Sequence, residues 1–526
     1  MKVLVSDELS EKGIEIFKRE REIELEVKIG LSIEDLIAEI PDYDALVIRS
    51  GTKVTAEVIE AGDNLKVIGR AGIGVDNIDI DAASKRGIVV MNTPEGNIIT
   101  TAEHTISMML ALSRNIPQAN AYVKSKKWKK KGFIGVEVFN KTLGVIGLGR
   151  IGRVVVKRAQ GLEMNVIAYD PFISKDTAYN IGIELVEMEE LLRRSDYITI
   201  HVPKTEGTIH LIGPKEFRMM KKGVRIINCS RGGIVDEEAL YQAIVDKRVS
   251  GAALDVFEKE PPVDSPLLEL DEVICTPHLG ASTGEAQENV AIAVAEQIVD
   301  FLKRGEIRNA INVPSVDIEV LGKIRPFLSL AEKLGSFQGQ LVEGGIREVT
   351  VKYSGDVINL GVKIVTVSVL KGLLQVFIER DVNWVNASII AEERGIRVLE
   401  TTSSEVEDFT SLIGVKIKTD KEEREIYGTI FGKEDPRIVR VDDYHIEAIL
   451  SGNMLFFSNV DAPGVIGRIG TVLGNNKINI AGMHLGRTRP QGKAVAIVNI
   501  DSPVTEEALK EIRGMQDIIS AKRITL

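Results

Sequence analysis

The sequence predicts an α/β protein with two doubly wound parallel sheets, followed by an α+β domain and a ferredoxin-like domain. Three observations carry that expectation. Residues 1–97 alternate short apolar strands with helix-like stretches, the pattern of a parallel sheet covered on both faces. From about Thr142 to His278 the alternation returns around a glycine-rich turn. From Gly452 onward it becomes strand, helix, strand, strand, helix, strand, the split βαβ plan.

Composition bounds what such a chain can do. At 526 residues it is long enough for roughly three or four domains. Hydrophobic residues make up 44% and charged residues 27%, the mixture of a core-forming globular protein. A net charge of −11 argues against nucleic-acid or anionic-membrane partners. Cys229 and Cys275 are too few for a disulfide framework, so a reducing, cytoplasmic setting is expected. Met1–Asp7 reads directly as a first strand and not as a targeting segment. No apolar run approaches the ~20 residues that span a bilayer.

In the first sheet the expected strands are Lys2–Ser6, Ala45–Ile48, Leu65–Arg70 and Ile88–Asn92. Thr100-Thr101-Ala102-Glu103 is spaced as a capping box, so a helix is expected to start there, ahead of the apolar run Ile106–Leu112. Ser282-Thr283-Gly284-Glu285 is a second such signal, opening a long amphipathic helix that stops near Gly305. Asn312-Val313-Pro314 marks the next boundary. The expected domains are 1–97 with 283–312, then 98–282, 315–450 and 452–526. Residues 315–450 carry no legible chemical motif, and no metal site is expected anywhere.

Val145-Ile146-Gly147-Leu148-Gly149-Arg150-Ile151-Gly152 ends a strand and opens a helix. Gly147 permits the tight turn, Gly149 lets backbone approach a pyrophosphate, and Gly152 allows close helix–strand packing. The next strand, Asn165–Tyr169, ends in Asp170, about 20 residues on, where an acidic residue binds the ribose 2′-hydroxyl. No arginine follows Asp170, so NAD is expected over NADP. Gly464-Val465-Ile466-Gly467-Arg468-Ile469-Gly470 echoes the fingerprint but lacks the G-x-G turn, and is not read as a nucleotide site.

Ligands of open α/β sheets bind at the carboxyl ends of strands. Here those ends deliver His201, Arg231, Asp255 and His278. Oxidising an alcohol needs a base, which histidine supplies, and a carboxylate to orient it, such as Glu260. It also needs a cation for an anionic substrate, which suits the fork of Arg231. Among six histidines, position alone favours His278 without deciding it, with His201 and His210 read as structural or supporting.

Asn228–Asp236, Ala253–Phe257 through Glu260-Pro261, and Pro277-His278-Leu279-Gly280 resemble the D-isomer-specific 2-hydroxyacid dehydrogenases over about residues 1–312. The resemblance implies a split substrate domain, a Rossmann domain, NAD, and Arg231, Glu260 and His278 as the catalytic set. It also implies cofactor contacts at Ile73, Gly147, Gly149, Arg150, Ile151, Gly152, Asp170, Val202, Cys229, Ser230, Arg231, Asp255, His278, Gly280 and Ala281.

Ile48–Thr55, Gly69–Asn77 and Asn92–Asn97 resemble the members of that family that oxidise D-3-phosphoglycerate, on the route to L-serine. By that likeness Arg49, Ser50 and Arg70 bind the substrate phosphate. Gly74 and Asn97 hold its carboxylate, with Arg231 and His278 completing the substrate site. A phosphate carries nearly two charges and favours an arginine cluster. The run Lys126–Lys131 reads as a solvated face. In the family it lies near a subunit boundary, where Lys130 would reach a neighbour's substrate, so a homo-oligomer (dimer or tetramer) is implied.

Asn459–Gly467 with Asn479-Ile480 is similar to the ACT domain, which binds small amino acids between paired copies. Asn459, Asp461 and Asn479 are the implied effector residues, with L-serine the implied effector. Residues 315–450 resemble the intervening domain of the long-form enzymes. Two other readings stay open at this point: a reductase of unphosphorylated 2-oxo acids, and a non-enzymatic NAD-sensing protein.

Overall fold

The computed structural model describes residues 1–314, 318–379, 381–403 and 409–526. Residue 315, where the intervening domain is expected to begin, lies outside the described residues.

Five parallel strands make the first sheet, in the spatial order Glu24–Val27, Lys2–Val5, Ala45–Ile48, Val67–Arg70, Val89–Asn92. Its central strands are continuous buried runs, as a sheet covered on both faces requires. Glu24–Val27 is an addition to the expected strands. It is a partly exposed edge strand of alternating charge, so no buried apolar run marks it.

The second sheet has seven parallel strands in the order Val273–Cys275, Val249–Leu254, Val224–Asn228, Tyr197–Ile200, Thr142–Ile146, Asn165–Tyr169, Glu184–Leu185. Strand order reverses between Thr142–Ile146 and Tyr197–Ile200, which opens a crevice at their carboxyl ends.

Two helices carry the chain between these sheets. The first runs Ile98–Ser113, from Asn97 as N-cap. The capping box expected at Thr100 does not form: the helix is already under way there. The second, Gly284–Arg304, is capped by Thr283, whose hydroxyl accepts from Ala286 N–H, and ends at Gly305 in the left-handed region. The cap is thus Thr283 rather than Ser282. This helix returns to the first sheet, where Val294 lies so close to Gly69 that a Cβ there would come within 2.7 Å.

The third sheet runs Arg397–Ser403, Ile346–Gly355, Ser411–Thr419, Glu423–Phe431, Asp435–Val441, Tyr444–Ile449. Only its first pair is parallel. Helices Ile318–Leu341 and Val362–Gln375 pack on each other beside it. The last sheet is antiparallel, ordered Ile480–Arg487, Lys493–Ile500, Asn453–Val460, Ile518–Thr525. Helices Val465–Asn475 and Glu506–Arg513 share its apolar cluster, giving the expected βαββαβ order. One continuous cluster runs from Val3 and Val294 through Phe337 and Tyr353 to Phe456. No helix of the described residues is long and apolar enough to cross a membrane.

Candidate active site

Both parallel sheets turn their carboxyl ends toward one cleft of about 340 Å³. The first sheet's side contributes Arg70, Ile73, Gly74, Pro94 and Asn97, and the second contributes the glycine-rich turn and the segments around Val202, Ser230 and His278.

The three glycines of the turn differ in what surrounds them. Gly147 has φ 93°, and a Cβ there would lie 2.6 Å from His201 O. A Cβ on Gly152 would lie 2.1 Å from Gly147 O, so the helix start presses on the strand end. Around Gly149 a Cβ would meet nothing within 4 Å, and this is the side that opens to the cleft. Helix Arg150–Gly161 starts there with no side-chain cap, leaving its first N–H groups for a phosphate. Asp170 accepts from Leu148 N–H at 2.8 Å and Phe172 N–H at 2.9 Å, which places its carboxylate beside the turn. These residues fit a dinucleotide.

His278 Nδ1 lies 2.9 Å from Glu260 Oε2. That hydrogen bond raises the imidazole pKa against the opposing effect of burial. For Glu260, burial pushes the carboxyl up, but the hydrogen bond and charge of His278 outweigh it and hold the group below its ordinary range. Glu260 is itself anchored, its Oε1 accepting from Phe257 N–H at 3.2 Å. His278 has φ 55°, a left-handed conformation that costs a non-glycine residue roughly 1–3 kcal/mol and needs a surrounding structure to impose it. His201 also lines the cleft, where burial pushes its imidazole down to about 4, so it is neutral. His210 bonds Glu258 at 3.0 Å.

Arg231 donates from Nε to Asp76 at 3.0 Å and from Nη1 to Ser230 O at 2.7 Å. It crosses directly over Gly74, where a Cβ would lie 2.1 Å from Nη2. Arg70 is part-buried, its buried Nε has no partner, and its guanidinium has one long bond, 3.4 Å to Ala71 O. Burial lowers its pKa to about 10, with the charges of Arg231 and Arg49 acting in the same direction. Three cations thus act on one another with the part-buried guanidinium of Arg70 underbonded, an arrangement that calls for an anion. Asn97 Oδ1 is likewise buried without a partner. Arg49 and Ser50 stand outside the cleft wall. Arg49 Nη1 donates to Glu8 O at 3.1 Å, and Ser50 is exposed.

Asp255, expected at the cofactor, has a different place. Its side chain is fully buried, and its carboxylate accepts from Thr276 Oγ1 at 2.6 Å, Leu279 N–H at 2.7 Å and Gly280 N–H at 2.8 Å. It holds the turn that carries His278. Cys229 lines the cleft, but burial pushes its thiol up to about 12, so it is unreactive. Thr101, Pro94 and Pro203 also line the cleft; Pro94 falls within the Asn92–Asn97 motif and Thr101 within the Thr100–Glu103 stretch, but neither stretch singles them out as site residues, and no motif marks Pro203.

The effector residues are only partly free. Asp461 accepts from Arg487 Nη1 at 2.8 Å, which holds its carboxyl below the ordinary range. Asn479 donates to Asp501 at 2.7 Å. Asn459 is buried, with Oδ1 unpartnered. Asp461, the carboxylate among the implied effector residues, is therefore already in an ion pair. Lys130 is exposed.

Residues 106–280 match the family model of the D-isomer specific 2-hydroxyacid dehydrogenase NAD binding domain. Residues 323–442 match the D-3-phosphoglycerate dehydrogenase intervening domain, and 453–515 the ACT domain. The D-3-phosphoglycerate dehydrogenase of Archaeoglobus fulgidus is 49% identical over 529 residues, covering 100% of both chains. That of Bacillus subtilis is 42% identical, covering 100% of this chain and 99% of its own. Among solved structures, a D-lactate dehydrogenase from Aquifex aeolicus complexed with NAD and lactic acid matches with TM-score 0.54 and 29% identity. It covers 60% of this chain and 100% of its own. A protein from Thermus thermophilus matches with TM-score 0.55 and 32% identity, over 59% of this chain and 100% of that one. The chain is an NAD-dependent oxidoreductase that belongs to the D-isomer specific 2-hydroxyacid dehydrogenases, in the D-3-phosphoglycerate dehydrogenase family with intervening and ACT domains.

Proposed function

We propose that this enzyme oxidises D-3-phosphoglycerate to 3-phosphohydroxypyruvate, the entry step of L-serine synthesis by the phosphorylated route, in the cytoplasm. One observation carries the reading: a Glu260-bound histidine shares a cleft with Arg231 and the underbonded Arg70. Arg231 holds the substrate carboxylate and the developing carbonyl oxygen. Gly74 and Asn97 bound that end of the pocket. Arg70 takes the phosphate, and Arg49 and Ser50 join it from the lip as the two domains close and exclude water.

His278 accepts the hydroxyl proton at Nε2, the nitrogen that Glu260 leaves free, and Glu260 stabilises the resulting imidazolium. Bound NAD supplies the hydride acceptor for the substrate's C2 hydrogen. Gly149 and the uncapped helix start would hold its pyrophosphate, and Asp170 would hold its ribose. Ile73, Arg150, Ile151, Val202, Ser230, Gly280 and Ala281 complete the wall. Comparing kcat/KM for 3-phosphohydroxypyruvate and hydroxypyruvate tests this reading, because only the former engages Arg70.

L-serine is proposed to act through the ACT domain. The unpartnered amide oxygen of Asn459 supports this, as does an Asp461–Arg487 pair that a zwitterion could replace group for group. A homo-oligomer is proposed through the segment around Lys126–Lys131. There Trp128 is 80% and Ile134 87% exposed, apolar surface that a second copy would cover. Lys130 would then face the neighbouring cleft.

A further inference from the structure

We propose that His104 is a positioning residue for the acid/base: through Asp255 and Thr276 it fixes the turn that aims His278. The proposal rests on His278 being the acid/base, and it adds a residue from a different part of the fold.

Helix Ile98–Ser113 lies against the turn 276–280 with a single face. Thr101 lies beneath Gly280, where an added Cβ would be 3.5 Å from Thr101 Cγ2. One turn on, His104 Nε2 lies 3.1 Å from Asp255 Oδ1 and 3.2 Å from Thr276 Oγ1. Another turn on, Met108 Sδ lies 3.9 Å from Thr276 Oγ1. Positions i, i+3 and i+7 of one helix therefore meet one loop.

The hydrogen-bond bookkeeping fixes what His104 does there. An ionised carboxylate only accepts, and a threonine hydroxyl has one proton. That proton is committed to Asp255 at 2.6 Å. The Nε2 of His104 must therefore carry a hydrogen and donate it to the Asp255–Thr276 pair. Asp255 in turn binds the turn through both oxygens, and its backbone carbonyl accepts from His278 N–H at 2.9 Å. Residues 276, 278, 279 and 280 thus all bond to a single aspartate whose side chain is fully buried. The left-handed backbone of His278 is held by this cluster, and His104 is its side-chain donor from the helix. The same helix starts at Asn97, in the cleft wall, so substrate and acid/base are referred to one rigid element.

Three variants of the full chain test the proposal: His104→Ala, His104→Gln and His278→Ala. A glutamine amide has the same number of bonds from Cα to its donor nitrogen as the imidazole Nε2. His104→Ala is expected to lower kcat roughly tenfold to hundredfold, the range seen when a partner behind a functional histidine is removed. NADH affinity, read by its fluorescence, is expected to stay within about twofold. His104→Gln, which keeps the donor, is expected to recover most of the loss. A His104→Ala enzyme with near-normal kcat, a loss that glutamine does not recover, or a matching loss of NADH affinity would overturn the proposal. Near-normal turnover in His278→Ala would instead overturn the acid/base assignment beneath it.

Discussion

The guanidinium of Arg231 lies directly on the backbone of Gly74, so close that a Cβ there would be 2.1 Å from Nη2. Arg231 follows a strand of the second sheet and Gly74 one of the first, so the guanidinium reaches across to the first sheet's side only because residue 74 has no side chain.

Gly74→Ala is therefore expected to displace the guanidinium and leave the cofactor turn untouched. Its kcat/KM for the 2-oxo acid should fall by about 1–3 kcal/mol, roughly fivefold to 150-fold. NADH binding, measured by fluorescence titration, should be unchanged. A normal KM and kcat would show that Arg231 does not meet substrate across this contact.

The His278–Glu260 pair sets the pH dependence. Its hydrogen bond raises the imidazole pKa, so Glu260→Gln lowers it. Oxidation needs neutral His278, so its rate rises with pH through this pKa, and the variant's limb moves to lower pH. Reduction needs the protonated form, so its alkaline decline also moves to lower pH. The raised folded pKa carries the matching stability sign: the pair's contribution is complete below the unfolded value and is lost as pH rises through the folded one. An unaltered pH–rate profile removes Glu260 from this role. Replacing His278 with Ala should cut turnover by roughly 10²–10⁴.

Two glycines of the cofactor turn should separate stability from binding. Gly152→Ala places a methyl 2.1 Å from Gly147 O, and is expected to lower both the thermal midpoint and NADH affinity. Gly149→Ala projects into open space, so folding should be intact while NADH affinity falls about tenfold, or 1.4 kcal/mol. Equal thermal losses in the two would contradict the assigned geometry.

Much of this site is legible in the sequence because a parallel sheet forces its functional residues to strand ends. The short segments after Thr142–Ile146, Val224–Asn228 and Val273–Cys275 carry the turn, Arg231 and His278. Strand ends do not reveal which way a polar side chain turns, and Asp255 turns inward onto the 276–280 loop instead of toward a cofactor. Helix faces hide more: Thr101 and His104 look like ordinary helical residues until a loop some 170 positions away packs on them. The Asp461–Arg487 pair is invisible for the same reason, since Asp461 follows one strand and Arg487 ends another. Glu24–Val27 escapes because its charges suit an exposed edge. The helix from Ile98 starts ahead of its apparent cap, with Asn97 as an N-cap that makes no side-chain cap bond and so leaves no capping signal.

Arg70 should confer selectivity rather than catalysis. Arg70→Ala is expected to lower kcat/KM for 3-phosphohydroxypyruvate by about 1.5–3 kcal/mol, the worth of a charge-assisted hydrogen bond. Hydroxypyruvate, which has no phosphate to lose, should be used nearly as before. Equal losses on both acids would move Arg70 from the phosphate site to a structural role.

Millimolar L-serine should inhibit the wild-type enzyme, and Asp461→Ala should weaken that inhibition without changing uninhibited turnover. Wild-type kinetics indifferent to serine would leave the ACT domain with an assembly role only.

The most direct test follows NADH oxidation by its absorbance with 3-phosphohydroxypyruvate, hydroxypyruvate and glyoxylate in parallel. A strong preference for the phosphorylated acid is the predicted result. Equal or better use of the unphosphorylated acids would leave the dehydrogenase chemistry standing and contradict the assignment of the arginine cluster to a substrate phosphate.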